Sequence, residues 1–275
     1  MDQNTTLRVT KITRIQKPTQ VVNFTCDPHP YYYANGLLSH NCDSWYTSWK
    51  PEKPTTRITL NAVKQMFVDN PQIRHTMITG GGPTMHPELL QEMCQLAKNF
   101  GHIITIETEG SEFVQTVADF ISLSPKFSNS TPIVGQNHIY LNRPMRQDEH
   151  DAHEAMRKNY EAMYYMITKH ADFQIKPVIS SLADLEELES LYFHIADHGC
   201  DVIAEYHSFR EISEMIEWKE EFIKHMKRHT YCMPMGVTDV ELAKTRIWLI
   251  EECVKRGLNY TDRLHIIAYG MKRGV

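Results

Sequence analysis

The sequence predicts an α/β protein with a parallel sheet, preceded by a short all-β segment. Three observations lead to this prediction. Segments of helical periodicity alternate with short apolar strands after residue 60, a run of glycines from Gly80 to Gly82 follows the first of these strands, and residues 7–38 have the composition of short strands. The functional sites of parallel folds lie at the carboxyl ends of the strands. The pattern leaves open whether the sheet forms a complete or partial barrel or an open doubly wound sheet.

Turn and capping signals set the bounds of the individual elements. An Asn-Gly pair at residues 35 and 36 supplies turn chemistry in the N-terminal segment. Pro87 starts a helix that ends before Gly101, and a later helix should stop at Gly199. In chain order, the other predicted elements are a helix at 61–67, a strand at 76–79, a helix at 87–100, a strand at 103–107, a short helix, a strand at 119–123, a long polar helical region at about 147–170, a strand at 173–179, a helix at 182–198, a last helix opened by the capping box Thr238-Asp-Val-Glu241, and a strand at 264–269.

Composition and charge disfavour several classes of protein. The 275 residues include 29 basic and 34 acidic side chains, without a basic block that would indicate nucleic-acid binding. The N-terminus has neither a positive start nor an apolar core, and no stretch nears the ~20 apolar residues of a membrane span. We therefore expect a cytoplasmic protein that binds neither nucleic acid nor membrane.

The six cysteines are scattered without paired spacing; they are Cys26, Cys42, Cys94, Cys200, Cys232 and Cys253. Cys94 and Cys253 fall within apolar helical patterns, where a thiol acts as a small hydrophobic group. We expect those two to pack in the core.

The junction at His40, Asn41 and Cys42 combines three groups with linked chemistry. The Asn41 side-chain amide can attack its own carbonyl and release the peptide bond to Cys42, His40 can donate a proton or polarise that carbonyl, and the Cys42 thiolate can accept a transferred acyl chain. This arrangement predicts a self-cleaving site with His40, Asn41 and Cys42 as its catalytic residues.

The segment before Cys42 resembles the C-terminal part of an intein over residues 7–41, including an apolar pair before Ser-His-Asn-Cys and an aromatic run before Asn-Gly. Because Met1 lies only a few residues upstream, it is similar to the C-terminal piece of a split intein. The resemblance implies that residues 1–41 are excised after association with a separately encoded N-terminal half. Whether His29 assists splicing or is a turn residue stays open.

From Cys42 the chain resembles the 7-carboxy-7-deazaguanine synthase family of radical S-adenosylmethionine enzymes, whose cluster motif closes with Cys-Asp-Ser or Cys-Asp-Thr. The resemblance spans residues 42–275 and is loose from about 130 to 230. It implies a partial TIM-like barrel in which Cys42 is the third ligand of a 4Fe-4S cluster, Asp43 binds the cofactor and Ser44 helps to hold Mg²⁺. The first strand and the first two cluster cysteines would then lie on the partner chain.

Further segments follow in the order that the family has. Thr79-Gly-Gly-Gly-Pro83 resembles its glycine loop, which implies that Thr79 faces the substrate and Gly81 the cofactor; the family usually has Glu or Asn where Gly82 stands. Glu107-Thr-Glu-Gly-Ser111 resembles a second segment of the family. The remaining residues carried over from the resemblance are Ser124, Pro125, Lys126, Met233 and Pro234 for cofactor binding and Val275, the terminal residue, for substrate binding.

The resemblance implies an enzyme that uses a 4Fe-4S cluster, S-adenosyl-L-methionine and Mg²⁺ to convert 6-carboxy-5,6,7,8-tetrahydropterin to 7-carboxy-7-deazaguanine after splicing. It also implies an electron donor such as flavodoxin and a homodimer. Two alternatives remain: an activase of glycyl-radical enzymes, from the same superfamily, and a non-catalytic splicing relic. The helices between 130 and 230, rich in His, Met and Tyr, are interpreted as packing elements without a second metal site.

Overall fold

A computed structural model describes residues 59–79, 82–131, 133–138, 143–206 and 211–270, together with two short strands nearer the N-terminus. Its strands, within that part of the chain, are β1 (Asn23–Thr25), β2 (Pro30–Tyr32), β3 (His75–Ile78), β4 (Ile103–Thr108), β5 (Phe120–Leu123), β6 (Asn137–His138), β7 (Arg143–Pro144), β8 (Asp172–Ile175), β9 (Val178–Ile179), β10 (Tyr231–Pro234) and β11 (Asn259–Tyr260). The α-helices are α1 (Leu60–Asp69), α2 (Pro87–Asn99), α3 (Gln147–Arg157), α4 (Tyr160–Thr168), α5 (Leu182–Tyr206), α6 (Ile212–Arg228), α7 (Asp239–Arg256) and α8 (Leu264–Tyr269). A 3₁₀ turn follows the glycine run at Pro83–Met85.

Two parallel sheets are joined into one surface. Strands β3, β4, β5 and β8 form the first sheet in that order, and β10 lies between β9 and β11 in the second. A parallel bridge pairs Ile175 of β8 with Thr230, directly before β10, and the Ile175 amide donates to the His229 carbonyl at 2.8 Å. The strands therefore follow chain order across the surface, without the reversal that marks a doubly wound sheet. The parallel α/β architecture predicted from the sequence is confirmed.

One face of the sheet is apolar and packs against helices. Ile104 and Ile106 of β4 belong to the buried core together with Leu90, Cys94 and Ala97 of α2. Burying such side chains stabilises the fold by about 1.5 to 3 kcal/mol for each large aliphatic group. Because side chains alternate along a strand, this packing directs the intervening residues to the opposite face.

The N-terminal strands β1 and β2 form an antiparallel pair, with Phe24 opposite Tyr31. They lie within residues 7–38, where short strands are expected. In the described part of the chain, no helix is long and apolar enough to cross a membrane.

Helix α5 differs from the prediction because it does not stop at Gly199 but continues to Tyr206. A Cβ at position 199 would lie 2.5 Å from Trp218 Cη2 and 2.7 Å from Tyr164 Cε2. Gly199 therefore permits close packing of neighbouring aromatic rings and does not end the helix.

The prediction of a strand at 264–269 is wrong, because these residues form the short helix α8. Ile266 is buried while Leu264 and Tyr269 are exposed, a spacing that does not alternate as in a strand. The short helix predicted between β4 and β5 is also absent from the described residues. There, the Thr116 hydroxyl accepts a hydrogen bond from the Ala118 amide at 3.2 Å, a local bond that competes with helix formation.

Two predicted elements are each divided in two. The polar region at 147–170 forms α3 and α4, because the Asn159 side chain accepts from the Ala162 amide at 3.1 Å and starts a new helix. The strand at 173–179 forms β8 and β9, which are separated by Lys176 and Pro177. This interruption lets one chain segment pair with β5 and then with β10.

Candidate active site

The face of the sheet opposite α2 is lined with polar side chains from neighbouring strands. His75 Nε2 lies 2.7 Å from Thr105 Oγ1, and the Gln174 side-chain amide donates to Ser122 Oγ at 2.8 Å. Glu107, Ser122 and Gln174 occupy paired positions on β4, β5 and β8, so they point to the same side of the sheet. A few polar groups that converge on one face are what orients a small molecule in a binding site.

The centre of the carboxyl edge is a buried ion pair. Lys176 Nζ lies 2.9 Å from Glu107 Oε1, and only 4% of the Glu107 side chain is exposed. The same lysine binds β5 through its backbone, because its amide donates to the Leu123 carbonyl at 2.7 Å and its carbonyl accepts from Ser124 Oγ at 3.0 Å. Lys176 was missed in the sequence, although a lysine inside an apolar strand pattern is itself a signal for a buried partner.

A rigid turn follows β4. Gly110 has φ +91°, and a Cβ there would lie 2.8 Å from Leu123 Cδ1. The Gly110 amide donates to Thr108 Oγ1 at 3.2 Å, and the Ser111 carbonyl accepts from the Asn159 side chain at 2.9 Å. The turn is therefore fixed both by β4 and by the residue that caps α4.

The turn after β4 meets the end of the glycine run. Gly82 has φ +84°, and its carbonyl accepts from the Met85 amide at 3.0 Å. A Cβ at Gly82 would lie 3.1 Å from Glu109 Oε1. Thr84 and Thr108, both buried, have their hydroxyl oxygens 3.4 Å apart. The loops that follow β3 and β4 thus form a single close-packed edge.

The structure describes six of the carried-over site residues and brings five of them to the carboxyl edge of the sheet. Thr79 is buried directly after β3, and Ser124 and Pro125 are buried directly after β5. Met233 and Pro234 end β10, where they pair with Val178 and Ile179. The five residues thus lie at one edge of the sheet, and their roles toward a ligand stay predictions.

Lys126 has a different environment. It lines a small cavity together with Arg157, Tyr160 and Glu187, which belong to the α3, α4 and α5 region. The other predicted site residues, His40, Asn41, Cys42, Asp43, Ser44, Gly81 and Val275, lie outside the described residues.

The Arg263 side chain, at a position the sequence analysis did not single out, is part of the carboxyl edge. It is 2% exposed, and its Nη1 donates to the Gly236 carbonyl at 2.7 Å, in the loop after β10. No sequence signal indicated this role, because the residues before Arg263 are polar.

The cysteines of the described residues have the properties of core side chains. Cys94, Cys200, Cys232 and Cys253 are all buried and free. Burial raises the pKa of the Cys94 thiol to about 11, and the hydrogen bond with Cys253, together with burial, raises the pKa of Cys232. Protonated thiols are poor metal ligands. Among the described residues no group of three His, Cys, Asp or Glu side chains is arranged to hold a metal ion, so an iron-sulfur cluster would depend on ligands elsewhere in the chain or on another chain.

The strand order and the carboxyl edge define a parallel α/β protein with buried polar side chains at the ends of its strands. No family model matches the chain. A 7-carboxy-7-deazaguanine synthase of Rhodopirellula baltica is 28% identical over 233 residues, 85% of this chain and 75% of the relative. A protein of the same name from Halobacterium salinarum is 26% identical over 82% of this chain and 76% of the relative.

A third relative with that name, from Synechocystis, is 36% identical over 30% of this chain and 36% of its own length. Among solved structures, QueE from Escherichia coli matches 77% of this chain and 68% of its own chain, with 15% identity and a TM-score of 0.42. The chain is thus similar, over most of its length, to curated 7-carboxy-7-deazaguanine synthases.

Proposed function

We propose that residues 42–275 are the larger part of a 7-carboxy-7-deazaguanine synthase, which converts 6-carboxy-5,6,7,8-tetrahydropterin to 7-carboxy-7-deazaguanine and ammonia. The observation that carries the proposal is the similarity to two relatives of that name over 85% and 82% of the chain. The sequential parallel sheet agrees with the partial barrel of radical S-adenosylmethionine enzymes.

The buried polar edge suits the cofactor and substrate of this reaction. Thr79 and Ser124 are buried at the ends of β3 and β5, the two strands that flank β4. Met233 and Pro234 would complete the cofactor site from β10. When bound, the 4Fe-4S cluster and S-adenosylmethionine supply a radical that removes one hydrogen atom from the substrate.

The described side chains orient the reactants and exclude water. The Glu107 and Lys176 charges are fixed by one another and by β5, so they form a preorganised polar wall. Cys42 would hold the cluster, Asp43 would contact the cofactor and Ser44 would share Mg²⁺ with oxygens of the substrate. Val275 would close the site with its terminal carboxylate.

We also propose that residues 1–41 are the C-terminal piece of a split intein, removed by trans-splicing before the synthase is active. The His40-Asn41-Cys42 junction supports this proposal through its chemistry.

The synthase activity is tested with the ligated product under anaerobic, reducing conditions. We expect turnover of 6-carboxytetrahydropterin to 7-carboxy-7-deazaguanine, measured by liquid chromatography and mass spectrometry, and stimulation by Mg²⁺. Cys42→Ser replaces a soft thiolate by a poor ligand for iron, so any ligated variant should contain little cluster and lack turnover. Product formation by that variant at the parent's rate would contradict the assignment of Cys42.

The splicing proposal is tested by mixing the chain with its partner. Mass spectrometry should detect a ligated product that lacks residues 1–41. Asn41→Ala removes the nucleophilic amide and should block release of the intein while the two pieces still associate. An intact bond between Asn41 and Cys42 after prolonged mixing of folded partners would rule out the proposal.

A further inference from the structure

Helix α7 carries apolar side chains on two opposite faces. Leu242, Leu249 and Cys253 are buried in the face that packs on β10 and β11. The other face carries an outer stripe that is exposed to solvent, formed by Val240 (71% exposed), Ala243, Ile247 (70%), Ile250 (40%) and Val254 (77%). A helix at a protein surface normally has one apolar stripe, which faces the core. The second stripe of α7 therefore indicates a surface that another molecule covers.

The outer stripe has the spacing of a seam between two helices. Its members follow one another at intervals of 3, 4, 3 and 4 residues, so they line up along one side of the helix. The other exposed positions of α7 are charged, as at Glu241 and Lys255. Within the described part of the chain no element packs on the stripe, since three of its members are at least 70% exposed. The partner that fits the stripe is therefore another helix with the same spacing.

The charges along one flank of the outer stripe are self-complementary under a two-fold rotation. Lys244 and Glu251 are exposed on this flank, and neither forms an ion pair with another described residue. In an antiparallel pair of helices, Ile247 of each copy can pack against Ile250 of the other at the two-fold axis. Lys244 then comes level with Glu251 of the second copy to within about 3 Å along the helix axis, at a rise of about 1.5 Å per residue. The symmetry forms this ion pair twice.

The charges on the opposite flank favour the same orientation. Arg246 is already paired within the chain, with Asp239 at 3.1 Å and with Asp262 at 2.7 Å. A parallel pair of helices would set Arg246 against Glu251 of the second copy, in competition with these partners. An antiparallel pair leaves them undisturbed, because it uses only Lys244 and Glu251.

We propose that the outer stripe of α7 binds the same stripe of a second copy of this chain, with the two helices antiparallel about a two-fold axis between residues 247 and 250. This contact does not depend on the proposed function, because no ligand takes part in it. The resemblance to a family implies a homodimer, but it indicates neither the surface nor the orientation of the helices. A seam of this length lies at the small end of specific interfaces, so we expect a dissociation constant in the micromolar range.

Analytical ultracentrifugation of the full chain across the micromolar concentration range tests the stripe itself. The parent should pass from monomer to dimer in this range. Ile247→Gln removes one aliphatic side chain from the seam in each copy and should raise the dissociation constant by more than about 100-fold. Ile212→Gln is the matched control, because Ile212 is 75% exposed on α6 and lies outside the stripe, so this variant should dimerise as the parent does. Circular dichroism should show that both variants fold as the parent does, since both side chains are exposed.

Charge reversal tests the orientation of the two helices. Lys244→Glu and Glu251→Lys each replace two attractions across the axis by two repulsions, so each should raise the dissociation constant by about 10-fold. An equimolar mixture of the two single variants, and the double variant alone, should restore the parent's affinity, because opposite charges then face each other again. In a parallel pair, the reversed charges would meet Asp239 and Arg246 of the second copy, which have the same sign. The double variant would then bind more weakly than either single variant.

The dimer of the parent, its loss in Ile247→Gln and its recovery in the double charge variant would together support the proposal. A parent that stays monomeric throughout the concentration range overturns it. A dimer that Ile247→Gln leaves intact lies at another surface and also overturns it, as do equal losses in the Ile247 and Ile212 variants. A double variant that binds more weakly than the single variants overturns the antiparallel arrangement.

Discussion

Removing only one partner of the ion pair between Glu107 and Lys176 should destabilise the fold, because the other charge then stays buried alone. Replacing Lys176 by Met strands a carboxylate that is 4% exposed, and we expect this to lower the free energy of unfolding by about 3 to 5 kcal/mol. Glu107→Gln together with Lys176→Met should recover most of the loss, because no charge is then buried alone. Urea denaturation followed by circular dichroism measures the free energy of unfolding of the single and the double variant.

The exposed pair between Lys98 and Asp119 is the matched control. Its side chains are 43% and 36% exposed, so Lys98→Met should cost less than about 1 kcal/mol. If the Lys176 and Lys98 variants lose equal stability, the Glu107 charge is not buried as described.

Individual residues show which parts of the candidate site could be predicted from the sequence and which could not. Thr79 and Ser124, which a motif order singled out, lie buried at strand ends, and parallel strands bring such ends to one edge. Lys176 was missed because the identity of its partner, Glu107 on another strand, depends on contacts that spacing along one strand does not encode. Lys126 kept its predicted position after β5, but its cavity with Arg157 depends on how α3 packs.

Helix α5 provides a test in which two physical effects have opposite signs. Gly199→Ala should stabilise a helix interior by about 1 kcal/mol from propensity alone. The added Cβ would meet Trp218 and Tyr164 at 2.5 and 2.7 Å, so we expect a net loss of about 1 to 3 kcal/mol from overpacking.

The thermal unfolding midpoint of Gly199→Ala measures the balance, and a smaller residue opposite it provides the control. In a Trp218→Leu background the clash with the indole is relieved, so the same substitution should cost less than in the parent. A rise in the midpoint of the single variant would show that Gly199 is not packed against these rings.

Helices and strands could be predicted where the hydrophobic periodicity extends over many residues, and not where it extends over only a few. The apolar stripe of α2 fixed both its existence and its buried face, with Leu90 and Cys94 in the core. The six residues of α8 form an apolar run too short to distinguish a helix from a strand. Gly199 carried the usual signal of a helix end, and only the packing of α6 against α5 reveals its other use.

The molecule as a whole should lose stability in mild acid. Burial lowers the pKa of His102, His153, His170 and His225. The unfolded chain, with histidine pKa values of about 6.5, therefore binds more protons than the folded chain below that pH. The contribution of these histidines to the free energy of unfolding is fully present above about pH 6.5. It is lost as the pH falls toward their lower pKa values in the folded protein, by at most about 1.4 kcal/mol per pH unit for each histidine.

His102 is the best residue with which to test this dependence of stability on pH, since it is 4% exposed and its Nδ1 lies 2.6 Å from Thr76 Oγ1. We expect His102→Gln to flatten the fall in unfolding free energy between pH 7 and pH 5. An unchanged slope in the His102 variant would show that this ring is protonated equally in both states.

The sequential order of the strands has a consequence for how the chain is made. Each strand of the joined sheet pairs with a strand synthesised before it, β8 with β5, β10 with β9 and β11 with β10, while β9 continues the path of β8. Closing a loop over one or two helices costs only slightly more entropy than closing a shorter one, because the cost grows with the logarithm of length. We therefore expect the sheet to extend from β3 toward β11 as the chain leaves the ribosome, with each new strand meeting a neighbour that is already in place.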